Sequence, residues 1–247
     1  NYRCAYCHAP KPWNFETRKT RYPGIKKWIE IWDRIYEDCG ESEMVISGGE
    51  PFIYPNFMEL MIHLSRIHII EFCTNFFFNV EPIANNMDPK RVRIGTSFHP
   101  QFSELEVFIK KINFLKDKGF EVWVNFVPWP PLFPQIKDIK NVLQQNGIKI
   151  VLQPFIGQYE GRQYPQGYTD EEKEFLGIFN DEANIKTVDF KTTDKSNKKS
   201  KLCRMGENYA FIHPDGEVER CCKDHSINLG NIIDGTFKFL DEPMPCQ

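Results

Sequence analysis

Short apolar runs alternate with longer amphipathic ones from Ile25 to Phe155. Glu43 to Ser47, Ile69 to Cys73, Val92 to Ser97, Glu121 to Val127 and Lys149 to Phe155 are rich in β-branched and aromatic residues, which predicts five strands. The stretches between them place apolar residues on one helical face: Ile25 to Tyr36, Phe57 to Ile67, Leu105 to Lys118 and Ile136 to Gln145. In the third of these, Phe108, Ile109, Ile112 and Leu115 recur at helical spacing, and Gly119 follows as a stop. Strand–helix alternation of this kind predicts parallel strands joined by right-handed crossovers. The run leading into Cys4 is read as the end of a further strand, so the economical fold is α/β, a partial (β/α)6 TIM-like barrel whose first strand is missing. Alternation alone does not separate that barrel from a doubly wound sheet.

Beyond Phe155 the pattern changes. Gly157 to Tyr168 is rich in Gly, Gln and Tyr, and Thr169-Asp170-Glu171-Glu172 predicts a capped short helix. Lys191 to Lys201 is a lysine-rich polar run, read as a solvated linker in preference to a nucleic-acid contact. Tyr209 to Glu219 predicts a hairpin turning at Pro214-Asp215-Gly216. The chain therefore divides into a core over 1–156, a connection over 157–202 and a small C-terminal domain over 203–247.

Charge changes little in this picture. The 31 Lys and Arg and 34 Asp and Glu leave a net −3, which advertises neither nucleic acid nor an anionic membrane as partner. No run approaches the roughly 20 apolar residues of a membrane span. Eight cysteines without an export signal read as thiolate ligands or reduced thiols in a cytoplasmic protein. Cys39 and Cys73 are the ones best read as plain structural thiols, and Cys222 has no assigned role.

The chemistry sits in three places. Cys4 and Cys7 open the chain as a Cys-x-x-Cys pair around Tyr6. Met44 to Ser47 runs into Gly48-Gly49-Glu50-Pro51, where glycines admit close backbone approach and a carboxylate can take a hydrogen bond from an ammonium group. Cys203 is followed after twelve residues by Gly216 and after four more by Cys221, and Cys246 stands near the end. Zinc ribbons and redox motifs share the first spacing, and four thiolates at the later spacings can hold zinc as well.

Together these motifs resemble the radical S-adenosylmethionine superfamily with a C-terminal auxiliary-cluster domain of the SPASM or twitch type. The resemblance implies a [4Fe–4S] cluster with Cys4 and Cys7 as its second and third ligands, a first cysteine directly before Asn1, and Tyr6 at the aromatic position of the motif. It gives Gly48, Gly49 and Glu50 to S-adenosylmethionine, with Asn75 and Ser97 at strand ends near that cofactor; Asn125 and Gln153 close the following strands and, by the period of two, point to the same face. His99, before Pro100, is read as a turn residue. A second iron–sulfur cluster is expected on Cys203, Cys221 and Cys246, with a further cysteine three residues beyond. Leu229 to Ile232 and the turn after it resemble the family's lead into a helix. The implied activity is reductive cleavage of S-adenosylmethionine to a 5′-deoxyadenosyl radical that abstracts hydrogen from a peptide or a small alcohol or sugar. A flavodoxin or ferredoxin would donate the electrons. The competing class is a non-catalytic scaffold with structural zinc, which has no use for Gly48-Gly49-Glu50.

Overall fold

The computed structural model describes residues 1–7, 23–177, 202–222 and 224–245, the side chains of 224–226 excepted. They fall into two compact units: residues 1–7 and 35–177 form one, residues 23–34 and 202–245 the other. Helix α1 (Ile25–Cys39) contributes residues to both.

The first unit is built on a parallel sheet in the order β1 (Glu43–Ile46), β2 (Ile69–Thr74), β3 (Val92–Ser97), β4 (Glu121–Phe126), β5 (Lys149–Leu152). The strand order is the sequence order. A doubly wound sheet reverses direction at its centre, and these five strands do not. Between them lie α2 (Phe57–Leu64), α3 (Glu81–Asn86), α4 (Leu105–Asp117) and α5 (Phe133–Gln145). The mixed α/β sheet matches a partial barrel, while residues 1–4 form no strand.

Side-chain parity explains what each face does. Ile70, Phe72, Val92, Ile94, Val122, Val124 and Phe126 are buried, as are Phe108, Ile112 and Leu115 of α4 and Ile136 and Leu143 of α5. Each such side chain contributes about 1.5–3 kcal/mol relative to exposure. The alternate face carries Glu71, Cys73, Arg93, Gly95, Ser97, Trp123 and Asn125. Toward the amino ends of the strands, Arg93 pairs with Glu43 and lies 3.5 Å from Glu71. The carboxyl ends are left to uncharged polar groups and glycines.

Sequence and structure differ at three elements of this unit. Helix α3 is absent from the apolar pattern because only Ile83 is buried, and Pro82 marks its first turn. Helix α5 begins at Phe133, ahead of Ile136, with proline again in the first turn. Strand β5 stops at Leu152, short of Phe155, because Pro154 supplies no ladder donor. There Tyr168 takes over: its hydroxyl accepts the Phe155 N–H at 2.9 Å and donates to the Pro128 carbonyl at 2.8 Å. A two-stranded hairpin follows, β6 (Gly157–Tyr159) with β7 (Arg162–Tyr164), then α6 (Asp170–Leu176). Thr169 and Glu172 form the reciprocal cap of α6.

The second unit pairs β8 (Leu202–Cys203) with β12 (Met244–Pro245), and β9 (Phe211–Ile212) with β10 (Glu217–Cys221) and β11 (Asp224–Asn231), all antiparallel. The turn between β9 and β10 lies where Pro214-Asp215-Gly216 predicts it. Gly216 has φ +85°, and a Cβ there would sit 2.4 Å from Ile233 Cδ1. After Ile232 the chain makes a turn, and no helix follows among the described residues, contrary to the sequence expectation. Asn231 caps that turn itself, accepting the Ile233 N–H at 2.8 Å. No helix among the described residues is long and apolar enough to cross a membrane. The lysine-rich run at 191–201 lies outside the described residues.

Candidate active site and metal centres

Ser47 to Glu50 leaves the carboxyl end of β1 and turns inward on Glu50, which is 5% exposed. Its Oε1 accepts the Thr74 hydroxyl at 2.8 Å and the Phe52 N–H at 3.1 Å. Its Oε2 accepts the Asn75 N–H at 2.7 Å. Burial pushes this carboxyl above the usual carboxylate range, against the three hydrogen bonds that draw it down. A carboxylate offers about four acceptor directions, so among the described residues roughly one remains, on Oε2. Gly48 and Gly49 are exposed, and a Cβ built on either meets nothing within 4 Å. A buried anion beside an open backbone is chemically suited to a cationic ligand with polar arms.

The neighbouring strand ends converge on the same face. Asn75 donates its side-chain N–H to Asn1 Oδ1 at 2.6 Å, which ties the N-terminal segment to the group that holds Glu50. Ser97 lies in register with Asn125, and Gln153 Nε2 donates to Asn125 Oδ1 at 3.4 Å. Gly95 leaves the space that the Trp123 ring occupies, since a Cβ there would come within 2.9 Å of it. The loop after β2 is pinned from α4, where Lys111 donates to the carbonyls of Phe76 and Phe78 at 3.0 and 2.8 Å.

The Cys4–Cys7 segment lies over the ends of β3 and β4. The Cys7 N–H donates to the Cys4 carbonyl at 3.1 Å, closing a turn that carries both thiols. Cys4 is buried and Cys7 half-buried. The Tyr6 hydroxyl is 2.7 Å from His99 Nδ1, and Cys4 Sγ is 3.5 Å from the same nitrogen. Tyr6 also stacks on His99 and lies against Trp129, with ring centroids 5.8 and 5.6 Å apart. Burial drives His99 down to about 4, so its ring is neutral at pH 7, and burial raises the Cys4 thiol and the Tyr6 phenol. His99 and Trp129 are the residues that sequence reasoning missed. The available signal was position, since His99 follows Ser97 by two residues at a strand end and Trp129 follows β4.

In the second unit Cys203 and Cys221 are half-buried and Cys222 is exposed. Cys222 touches Tyr209, whose phenol is pushed up to about 12 chiefly by burial and then by the two adjacent thiols. Cys246 lies outside the described residues, as does His8. None of the described cysteines is joined in a disulfide. Among the described residues no three His, Cys, Asp or Glu side chains are gathered so as to hold a metal ion. The donor chemistry fits thiolate-bound iron in both units: two cysteines on one turn in the first unit, and two on strands of one small unit in the second.

The family described as SPASM, an iron–sulfur cluster-binding domain, matches residues 203–240. Solved structures share the fold over most of the chain. Streptococcus suis SuiB bound to S-adenosylmethionine is 18% identical, with a TM-score of 0.55 over 86% of this chain and 57% of that one. Native anSMEcpe with bound AdoMet is 16% identical, with a TM-score of 0.59 over 94% of this chain and 74% of that one. Residues 203–240 thus match the SPASM domain, and the chain shares its fold with SuiB and anSMEcpe. The same anSMEcpe with AdoMet and the Cp18Cys peptide aligns at 16% identity, with a TM-score of 0.56 over 96% of this chain and 75% of that one. The SPASM chain spans less than two thirds of SuiB, and no curated protein sequence matches it.

Proposed function

We propose that this SPASM chain is a radical S-adenosylmethionine enzyme that modifies a peptide. The observation that carries the reading is a single connection. Asn1, three residues before Cys4, is bound to Asn75, whose backbone holds Glu50. The thiol turn and the Gly-Gly-Glu carboxylate thereby belong to one set of strand ends, the edge where barrel folds of this kind keep their sites.

In this reading Cys4 and Cys7 are thiolate ligands of a [4Fe–4S] cluster. When bound, the cluster supplies the electron that cleaves S-adenosylmethionine to a 5′-deoxyadenosyl radical. The chain's own residues do the rest. Glu50 takes the cofactor ammonium on its free acceptor direction, and Gly48 and Gly49 admit the cofactor to bare backbone. Ser97, Asn125 and Gln153 offer polar contacts along the next strand ends, and Tyr6, His99 and Trp129 wall the thiol turn from water. Cys203, Cys221 and Cys246 hold the auxiliary cluster of the SPASM domain. A peptide substrate is favoured because anSMEcpe was solved with Kp18Cys and Cp18Cys peptides. The electron donor is a flavodoxin or ferredoxin, and the setting is the cytoplasm.

The test is anaerobic reconstitution of the full-length protein with iron and sulfide. The reading predicts a brown protein with two clusters per chain that binds S-adenosylmethionine. A colourless protein that takes up zinc instead would make it a structural-zinc scaffold.

A further inference from the structure

Among the described residues Arg220 is the largest side chain that is almost wholly withdrawn from solvent, at 1% exposure. It precedes Cys221 in β10, where Val218, Glu219 and Arg220 are buried in succession. Alternation puts Arg220 on the same face as Val218, and the register shifts on either side of Glu219 place their extra residues in β11. Once inside, its guanidinium donates to four backbone carbonyls. Nε reaches Met205 at 2.7 Å and Nη1 reaches Pro245 at 2.9 Å. Nη2 reaches Cys203 at 3.0 Å and Met244 at 2.6 Å.

Those carbonyls are not a random set. Cys203 is a candidate ligand, and Met244 and Pro245 lead directly into Cys246, another. Met244 is also the residue that pairs with Cys203 across β8 and β12. One planar fork thus joins the backbone beside each candidate thiolate of the unit. A lysine, with three donors on a single point charge, cannot span four carbonyls in this way. Gly206 makes room for the arginine stem: at φ +89°, a Cβ there would fall 2.8 Å from Arg220 Cγ.

We infer that Arg220 is a positioning residue of the C-terminal metal site, gathering the ligand-bearing segments and setting a fixed positive charge beside the cluster they bind. The inference rests on reading this unit as a cluster-binding domain. A guanidinium keeps its charge in a protein interior, and a nearby positive charge favours the more negative, reduced cluster. Removing it should therefore shift that cluster's midpoint potential downward.

The experiment compares wild type, Arg220→Gln and Arg220→Lys as full-length, anaerobically reconstituted protein, reading iron per chain and the midpoint potential of each cluster by EPR-monitored titration. The glutamine variant is expected to lose roughly half its iron, the share of one cube, or to keep it with the second cluster at a lower potential. The first cluster should be unchanged in either case and reports that the chain is folded. The lysine variant is expected to keep the potential near wild type at reduced occupancy. Should the glutamine variant not fold, the lysine variant decides, and full occupancy in it overturns the inference. So does a folded glutamine variant with unchanged iron and potentials. A wild type that binds iron only at Cys4 and Cys7 overturns the cluster reading itself, and that failure shows before any variant is made.

Discussion

The Asn75 N–H donates to Glu50 Oε2 at 2.7 Å, so the end of one strand holds the carboxylate that closes its neighbour. With the Thr74 hydroxyl on Oε1, two adjacent residues of one strand end grip both oxygens. The carboxyl group is aimed before any ligand arrives, and its hydrogen bonds favour the charged form where burial disfavours it. Such preorganisation spares a cationic ligand the cost of ordering its partner.

Replacing Glu50 by Gln should weaken S-adenosylmethionine binding while leaving cluster iron intact. The loss of one charge-assisted hydrogen bond corresponds to about 1.5–3 kcal/mol, or about a ten- to hundredfold weaker Kd. Anaerobic calorimetry measures it. Equal affinity in the two proteins would leave Glu50 as a latch for the end of β2 and nothing more.

Gly48 and Gly49 separate fold from function. Gly48 has φ +145°, so Gly48→Ala should cost about 1–3 kcal/mol of stability through backbone strain. Gly49 lies outside that region, and its Cβ position is open. Gly49→Ala should therefore leave the thermal midpoint within about 1 °C, a shift well under 1 kcal/mol, yet weaken cofactor binding. Undiminished binding would show that no ligand approaches Gly49.

His99 makes a prediction for the cluster-free chain. Its pKa falls from the ordinary 6.5 to about 4 in the fold, so the unfolded chain binds the extra proton between those values. Its contribution to stability is complete above about pH 6.5 and is lost as pH falls toward and below about 4, on the order of 3 kcal/mol in all. His99→Asn keeps an acceptor for Tyr6 without titrating. Denaturant unfolding at pH 7 and pH 4.5 should show a smaller acid loss for the variant than for wild type. Equal losses would mean that His99 titrates freely.

Much of this was legible in the sequence, for physical reasons. The five strands were legible because apolar residues recur at alternate positions, as Ile70 and Phe72 do in β2 and Val92 and Ile94 in β3. Gly48-Gly49-Glu50 was legible because it terminates such a run. Gln153 and Asn125 were placed together by strand parity alone, and they do meet. What stayed hidden depends on distant contacts. His99 reads as a turn residue until Tyr6 and Cys4 are brought to it across ninety-odd residues of chain. The role of Arg220 depends on carbonyls of Cys203, Met205, Met244 and Pro245 that no hydropathy pattern brings to it. Helix α3 buries one side chain, too few to leave a periodic trace.

The two thiol sets should be separable. Replacing Cys203 and Cys221 with Ala in the full-length protein should remove roughly half the iron, since each set binds its own cube. Cleavage of S-adenosylmethionine should survive, while substrate turnover or folding of the small unit suffers. A double variant that keeps all its iron would return these cysteines to zinc or to a reduced structural role.

The central claim is that the Cys4–Cys7 turn and Glu50 serve one S-adenosylmethionine site, and 5′-deoxyadenosine production tests it most directly. Full-length reconstituted protein, supplied with a low-potential reductant and S-adenosylmethionine, is predicted to form 5′-deoxyadenosine. The Cys4→Ala/Cys7→Ala variant is predicted to form none while keeping roughly half of its iron. Production undiminished in that variant, or absent from a wild type that carries both clusters, would contradict the account.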